Sequence, residues 1–338
     1  MDGELVRAAA LYIESCRAEM EKRIVGQRDM IDGLLTGLIA GGHVLFEGVP
    51  GLAKTLAVKT FARITGLQYK RIQFTPDLLP ADVTGTLVWE QATGKFSVRR
   101  GPVFANVVLA DEINRAPAKV HSALLEAMEE KQVTIGETSY PLPQPFFVLA
   151  SQNPIEHEGT YRLPEAELDR FLIKVLVPYP SPEEEVRILH SEGKSTVDAP
   201  ALEPVLNDQA QTVLKNAAEQ IFVDPQIMTY IVAIVTASRP ITKLSGAAVL
   251  KKNDIEKSRE GLYRYIAFGA SPRASLALYR CARIHALFDG RGFVKPDDVK
   301  AVAHSVLRHR IVLSYEADAD ALDTDTIIAR ILNLVPVP

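Results

Sequence analysis

One short stretch narrows the possible folds of this chain more than any other. Residues 48–55 read Gly-Val-Pro-Gly-Leu-Ala-Lys-Thr. The apolar residues 44–46 come directly before this stretch, and an apolar pattern of helical period follows over residues 56–64. A strand, a glycine-containing loop, a Lys-Thr pair and a helix, in that order, form the arrangement that cradles phosphate groups. We therefore predict a phosphate-binding loop of the P-loop (Walker A) class within an α/β fold; the alternative is a chance Gly/Pro turn before a helix.

The loop positions have chemical reasons. Gly48 and Gly51 allow the backbone to bend so that its N–H groups point at phosphate oxygens, and the positive end of the following helix adds to the attraction. We expect Lys54 to contact the β- and γ-phosphates and the Thr55 hydroxyl to coordinate Mg²⁺. Ala53 stands where the common pattern has glycine. The Cβ of an alanine is tolerated at this position if the residue is already helical. The predicted nucleotide contacts of the segment are Gly48, Val49, Pro50, Gly51, Leu52, Ala53, Lys54, Thr55 and Leu56.

A second candidate segment ends in two acids. Residues 107–110 are Val-Val-Leu-Ala, and Asp111 and Glu112 follow directly. A buried parallel strand would deliver these carboxylates to the ligand crevice at the carboxyl edge of an open α/β sheet. We expect Asp111 to hold Mg²⁺ through water and Glu112 to orient and polarise an attacking water. Taken alone, the pattern fits an ordinary strand and a solvated acidic loop equally well, but phosphoryl transfer needs such a second part beside a phosphate loop.

Two polar residues farther along the chain have plain structural alternatives. Asn153 lies in Ser-Gln-Asn-Pro after an apolar run, where it can hydrogen-bond a γ-phosphate or a water, but Asn-Pro is also a common turn. Arg170 is most simply a surface arginine paired with Glu167 or Asp169. For Asn153 the residues alone favour neither the ligand contact nor the turn. For Arg170 they favour the surface pair.

Arg273 is in a more informative position. It is the second residue of a predicted helix that Ser271 caps and Pro272 starts. A cation at this end faces the positive end of the helix macrodipole. An anionic partner would offset that cost, and it could be either a bound phosphate or a neighbouring carboxylate.

The rest of the pattern divides the chain in two. Up to residue 177, short apolar runs alternate with helical patterns, which predicts a doubly wound parallel sheet. Two strand–turn–strand patterns, at residues 86–99 and 133–141, predict β-hairpin insertions. Beyond a proline-rich, hinge-like segment at residues 178–182 the pattern is helical throughout. We predict an α/β nucleotide-binding domain with N-terminal helices over residues 1–178 and an all-α domain over residues 179–338.

Composition excludes several classes of protein. Of the 338 residues 47% are hydrophobic and 24% charged, as in a soluble globular protein. The 38 basic and 42 acidic residues give a net charge of −4, which provides no general attraction to nucleic acid or anionic membrane. Two cysteines argue against a disulfide scaffold and for a reducing, cytoplasmic location. We see no signal peptide, no membrane-spanning run, no histidine spacing typical of a metal site and no Gly-x-Ser-x-Gly elbow.

Together these motifs resemble those of the AAA+ ATPases, and within them the MoxR family, over nearly the whole chain. Alanine at position 53 is the form of the loop that this family uses. The two hairpins resemble the helix-2 and pre-sensor-1 inserts shared with MCM-like AAA+ proteins. The other matching segments are residues 24–27 (adenine contact), 111–116 (Walker B), 151–154 (sensor 1), 168–171 (arginine finger) and 269–274 (sensor 2).

The resemblance implies a role for each matching residue. ATP or ADP and Mg²⁺ would bind at the loop, with Thr55 and Asp111 toward the metal. Adenine would contact Val25, Gly26 and Gln27. The implied catalytic residues are Glu112, Asn153 as sensor 1, Arg273 contacting phosphate from the helical lid, and Arg170 acting in trans on the site of a neighbouring subunit.

It also implies a ring, with a hexamer as the expected form, and ATP at each subunit interface. The family is associated with chaperone-like maturation or metal insertion, often beside partners with von Willebrand factor A domains. We therefore expect remodelling of a client protein and neither a nucleic-acid partner nor membrane insertion.

One alternative is an MCM-like nucleic-acid motor that uses the first hairpin through Trp89, Lys95, Arg99 and Arg100. Another is a regulatory switch that binds ATP and hardly hydrolyses it. The segment 241–263 is longer than such proteins usually carry and is either a surface insertion or a partner contact.

Overall fold

The computed structural model describes residues 3–154, 161, 163–192, 201–240 and 261–338. The chain forms two compact units, Leu11–Lys215 and Met1–Ala10 together with Asn216–Pro338. The predicted division near residue 178 remains a prediction about domains. The segment 241–263 lies, up to residue 260, outside the described residues.

The secondary structure follows the predicted patterns closely. The strands are β1 (His43–Glu47), β2 (Tyr69–Gln73), β3 (Gly85–Glu90), β4 (Lys95–Arg100), β5 (Val107–Asp111), β6 (Gln132–Ile135), β7 (Thr138–Pro141), β8 (Phe147–Gln152), β9 (Phe171–Leu176), β10 (Ile266–Phe268) and β11 (Val312–Leu313). The described helices are α1 (Gly3–Glu21), α2 (Arg28–Ala40), α3 (Lys54–Thr65), α4 (Pro80–Thr84), α5 (Ala118–Glu130), α6 (Glu165–Leu168), α7 (Pro182–Glu192), α8 (Asp208–Gln220), α9 (Pro225–Ala237), α10 (Pro272–Phe288), α11 (Pro296–Leu307), α12 (Tyr315–Ala319) and α13 (Thr324–Leu334).

A five-stranded sheet, in the order β2-β5-β8-β1-β9, forms the centre of the unit Leu11–Lys215. All neighbouring strands in it run parallel. Every residue of β5 is buried, because helices cover both faces: Leu124 of α5 belongs to the core cluster on one face, and Phe61 of α3 meets Phe147 edge-on on the other. The predicted doubly wound parallel sheet is thus confirmed. The carboxyl ends of β1, β5 and β8 are neighbours, which brings the segments that follow them together.

Two hairpins interrupt the α/β alternation, as predicted. Strands β3 and β4 pair antiparallel, and so do β6 and β7. Leu87 and Val98 pair in the middle of the first hairpin. A Cβ on Gly136, in the turn of the second hairpin, would lie 2.7 Å from Leu87 Cδ1. The two insertions therefore meet where Leu87 lies against this turn.

The unit that contains residues 216–338 is mainly helical. Asp224 and Ser271 cap α9 and α10 and accept hydrogen bonds from the backbone N–H groups of Gln226 and Arg273, as predicted. One feature was not predicted: β10 and β11 form a short antiparallel pair. No helix in the described part of the chain has the length and apolar character needed to cross a membrane.

Candidate nucleotide-binding site

The loop between β1 and α3 needs both of its glycines, for different reasons. Gly51 has a φ of +88°, a conformation that side-chain-bearing residues rarely adopt. Gly48 is limited by space, since a Cβ there would lie 2.6 Å from the carbonyl oxygen of Val177. The loop backbone is therefore bent and closely packed where phosphate groups are expected.

Ala53 lies outside the helix that follows the loop. It is not the first helical residue but the N-cap of α3, with φ 55° and ψ 16°. The helix begins only at Lys54, so the preceding residue turns the chain in the left-handed region. A Cβ in that region costs about 1–2 kcal/mol, and the condition under which the alanine would be harmless, a helical backbone, is not met.

The side chain of Lys54 turns back into the loop. Its ammonium donates to the carbonyl oxygen of Gly48 and, at 3.0 Å, to that of Val49. Burial lowers the pKa of Lys54, and the charges of Asp111 and Glu112 act in the opposite direction. The ammonium thus feels the charges of two carboxylates and is held by two loop carbonyls.

Asp111, the last residue of β5, is held through both carboxylate oxygens. Ser151 Oγ donates to Oδ1 at 2.5 Å, and Thr55 Oγ1 lies 3.4 Å from Oδ2. A hydroxyl and a carboxylate are the hard oxygen ligands that Mg²⁺ prefers. The donor set at this point is therefore chemically suited to the metal.

Glu112 follows in a strained backbone conformation. Its φ is 54° and its ψ 50°, which is uncommon for a residue with a side chain and concentrates at functional sites. Its carboxylate Oε2 accepts from Gln73 Nε2 at 2.8 Å and from Arg115 Nη1 at 2.9 Å. Its backbone N–H donates to Ser151 Oγ at 2.9 Å, so the segment after β5 is fixed to the end of β8.

These residues line one cleft of about 400 Å³. Asn153, buried just after β8, belongs to the same lining. The predicted site residues in the lining are Pro50, Gly51, Leu52, Ala53, Lys54, Thr55, Leu56, Asp111, Glu112 and Asn153.

The predicted adenine-contact segment is not in this lining. Gly26 and Gln27 have positive φ values of 66° and 55°. Gln27 Nε2 donates to Pro178 O at 3.0 Å, and a Cβ on Gly26 would run into the carboxylate of Glu184. Residues 25–27 thus pack against the segment that opens α7, and their role stays a prediction. Gly48 and Val49 also lie outside the lining and act through their carbonyls on Lys54.

Two predicted arginines lie elsewhere. Arg170 Nε is 3.0 Å from Glu129 Oε2, a partner on α5 that neighbouring sequence did not suggest. The two residues share a second pocket, of about 440 Å³, with further acidic residues. Arg273 is exposed at the start of α10 in the other unit, as its sequence position predicted. Their roles in catalysis remain predictions.

Comparison with known proteins decides the family. Residues 43–173 match the model of the ATPase family associated with various cellular activities (AAA), and residues 263–331 match the AAA lid domain. The chain is 48% identical to chaperone MoxR1 of Mycobacterium tuberculosis, over 96% of this chain and 82% of that protein. It is 32% identical to protein MoxR of Methylorubrum extorquens, over 95% of this chain and 93% of that one. The chain belongs to the MoxR family of AAA+ ATPases.

A solved structure agrees with this assignment. A crystal structure of a proposed ATPase from Cytophaga hutchinsonii superposes on this MoxR-family chain with a TM-score of 0.88 at 43% identity, covering 99% of this chain and 97% of the other. The predicted AAA+ core with a helical lid region is therefore confirmed, and nucleotide binding follows from the family.

Sequence reasoning missed four side chains of this MoxR-family site. Arg71 and Gln73 project from the edge strand β2, Ser151 is the last but one residue of β8, and Arg115 follows Glu112 by three residues. One signal was available: β2 contains Lys70, Arg71 and Gln73 instead of being apolar throughout, as an edge strand beside a polar crevice does. The partner of each side chain, however, depends on the pairing of Gln73 with Asp111 across β2 and β5.

Proposed function

We propose that this chain binds ATP with Mg²⁺ in the cleft and hydrolyses it to ADP and phosphate. The observation that carries the proposal is the meeting of Lys54, Thr55, Asp111, Glu112 and Asn153 in one cleft, from the ends of three adjacent strands. A lysine, a hydroxyl, two carboxylates and an amide are the set of groups that phosphoryl transfer from a nucleotide requires.

Each side chain has a separable task in this proposal. Lys54 exchanges the carbonyls of the loop for the β- and γ-phosphates, which are stronger acceptors. Thr55 and Asp111 would hold Mg²⁺, which would supply charge neutralisation on the phosphate oxygens. Glu112 orients a water and takes its proton, for which it must turn at least one oxygen away from Gln73 and Arg115. Asn153 hydrogen-bonds the γ-phosphate or that water.

We further propose that hydrolysis occurs between subunits of a ring and drives remodelling of a client protein, together with a partner that carries a von Willebrand factor A domain. Two points support this. The relative MoxR1 bears the name chaperone, and Arg170 lies in a pocket of its own, outside the lining of the cleft. In this proposal residues 179–338 act as the lid and Arg273 reaches phosphate from it.

The first hairpin favours a protein client over nucleic acid. Arg100 is one of the hairpin cations that could bind a nucleic-acid strand. Its guanidinium lies over the rings of Phe104 and Tyr140, 5.1 and 5.9 Å from their centroids. Trp89 and Phe96 pair edge to face at the tip and are 54% and 65% exposed. The hairpin thus offers an apolar tip, while Arg100 makes cation–π contacts within the subunit.

The test compares the Glu112→Gln protein with the unmodified chain. We expect nucleotide binding to persist while the rate of phosphate release falls by at least about 10²-fold, because loss of a general base costs that much. Nucleotide affinity is measured by calorimetry and turnover by phosphate release. The matched control is Glu185→Gln, the same change at an exposed position of α7.

Three results would contradict parts of the proposal. Equal turnover in the two variants would reject the role of Glu112. ATP binding without turnover in the unmodified chain would favour the regulatory switch. Failure of the unmodified chain to bind ATP or ADP would reject the site itself.

A further inference from the structure

Arg71 is the unassigned cation of the cleft. It projects from β2 into the same lining as Lys54 and Thr55. Its guanidinium contacts Asp111 Oδ2 twice, from Nε at 3.0 Å and from Nη2 at 2.7 Å. Two charge-assisted hydrogen bonds on one oxygen make this the strongest contact that Asp111 has in the described structure.

This contact occupies the oxygen that the proposed metal site needs. Thr55 Oγ1 lies 3.4 Å from the same Oδ2, whereas Oδ1 is taken by Ser151. A divalent cation between the Thr55 hydroxyl and the carboxylate, with or without an intervening water, draws on Oδ2. Arg71 and the metal would therefore compete for Oδ2 of Asp111.

The two partners differ in their freedom to move. The side chain of Asp111 is 12% exposed and that of Arg71 is 47% exposed. Asp111 is further fixed by its strand and by Ser151. When the site changes its cation, the arginine can leave toward solvent while the carboxylate stays in place.

We propose that Arg71 is a positioning residue that serves as the counter-ion of Asp111 in the nucleotide-free protein and exchanges with Mg²⁺ when the metal–nucleotide complex binds. The inference rests on the proposed nucleotide site. Without nucleotide, Arg71 offsets the charge of a largely buried carboxylate, which is costly to leave unpaired. With Mg²⁺ bound, the ion takes over that task, and the pair with Arg71 opposes binding because it must first be broken.

The sign of the effect follows from two contributions. Removal of Arg71 leaves Asp111 uncompensated beside the phosphates, so metal-free nucleotide should bind more weakly. It also removes the pair that has to be broken, so the magnesium complex should lose less affinity or gain some. Both contributions raise the ratio of the dissociation constant without Mg²⁺ to that with Mg²⁺.

The experiment measures this ratio by calorimetry for the full chain, with ADP and with a non-hydrolysable ATP analogue, in Mg²⁺ and in EDTA. For Arg71→Gln we expect the ratio to rise roughly tenfold, the size of a charge-assisted contact reduced by solvent screening. Arg71→Lys should restore much of the wild-type ratio because it keeps the charge. Lys70→Gln is the matched control: it removes the same charge from an exposed neighbour on the opposite face of β2 and should leave the ratio unchanged.

Two outcomes would overturn the proposal. If both affinities fall together and the ratio stays constant, Arg71 is a direct phosphate ligand. If the ratio is constant and only the melting temperature falls, Arg71 is structural. Absence of nucleotide binding by the unmodified chain would instead reject the proposed function, so the two failures are distinct.

Discussion

The ionised side chains of the cleft have partners within the subunit. Lys54 bonds to loop carbonyls, Arg71 to Asp111, and Arg115 to Glu112. Binding of nucleotide is then an exchange of partners, and its free energy is the difference between new contacts and those given up. This explains how three cations and two carboxylates can be stable together, since a largely buried charge such as that of Asp111 would be costly to leave unpaired.

His43, the first residue of β1, supports a prediction about pH. It is buried, accepts from Val148 N–H through Nδ1 at 2.9 Å and has Nε2 3.2 Å from Met128 O. Burial lowers its pKa from 6.5 to about 4. The unfolded chain therefore binds the proton more readily than the folded chain, and stability is lost as pH falls from 6.5 toward 4. We expect this residue to reduce the free energy of unfolding by about 2 kcal/mol between pH 7 and pH 5.

Urea unfolding of the unmodified chain and of His43→Gln at the two pH values tests this. The glutamine variant will be less stable throughout, since an amide does not reproduce the packing of the buried ring, but it should lose about 2 kcal/mol less on acidification. His121, whose pKa burial also lowers, is common to both proteins and cancels in the comparison. Equal losses in the two proteins would show that His43 does not titrate as described.

At the scale of the element, local patterns sufficed for some features and not for others. The loop at residues 48–55, β5 and the capped starts of α9 and α10 were predictable because each is encoded by adjacent residues. Arg71 was not, because its contact with Asp111 arises from the pairing of β2 with β5. The short pair β10–β11 was missed for a related reason: strands of three and two residues carry too little alternation to detect. Whether Ala53 is helical stayed open in the sequence, because propensity does not report where a helix begins.

The first hairpin contains the single tryptophan of the chain, and this supports a direct experiment. Trp89 is 54% exposed, so its fluorescence should be open to acrylamide quenching. In the Glu112→Gln protein with Mg·ATP, we expect an unfolded, carboxymethylated polypeptide to lower the quenching constant of Trp89 and single-stranded DNA to leave it unchanged. The reason is that an apolar segment would cover the exposed aromatic pair.

The Phe96→Ser variant provides the control for the hairpin. It removes one member of the aromatic pair at the exposed tip, so nucleotide binding should persist while protection of Trp89 is reduced. Protection by single-stranded DNA that disappears at high salt would instead support the nucleic-acid motor.

At the scale of the whole molecule, the role proposed for Arg170 requires it to give up an ion pair within its own subunit. In the single subunit its Nε lies 3.0 Å from Glu129, in a pocket that also contains Glu126, Glu130 and Glu167. Such a setting stabilises the guanidinium where it is. If Arg170 acts as the proposed finger, a neighbouring nucleotide must compete with these carboxylates, and the finger would then depend on close assembly of the subunits.

Mixing two inactive proteins tests whether Arg170 acts across an interface. Arg170→Ala has an intact site and no finger, whereas Glu112→Gln has an inactive site and an intact finger. In a ring of head-to-tail contacts assembled at random from equal amounts, about a quarter of the interfaces join an intact site to an intact finger. We therefore expect the mixture to recover about a quarter of wild-type turnover. Each protein alone should be nearly inactive, since a finger contributes about 10³–10⁵ in rate.

A mixture of Glu112→Gln with Lys54→Ala, both defective in the same site, should remain inactive. No recovery in the first mixture would assign Arg170 to its own subunit, and full turnover of Arg170→Ala alone would remove it from catalysis.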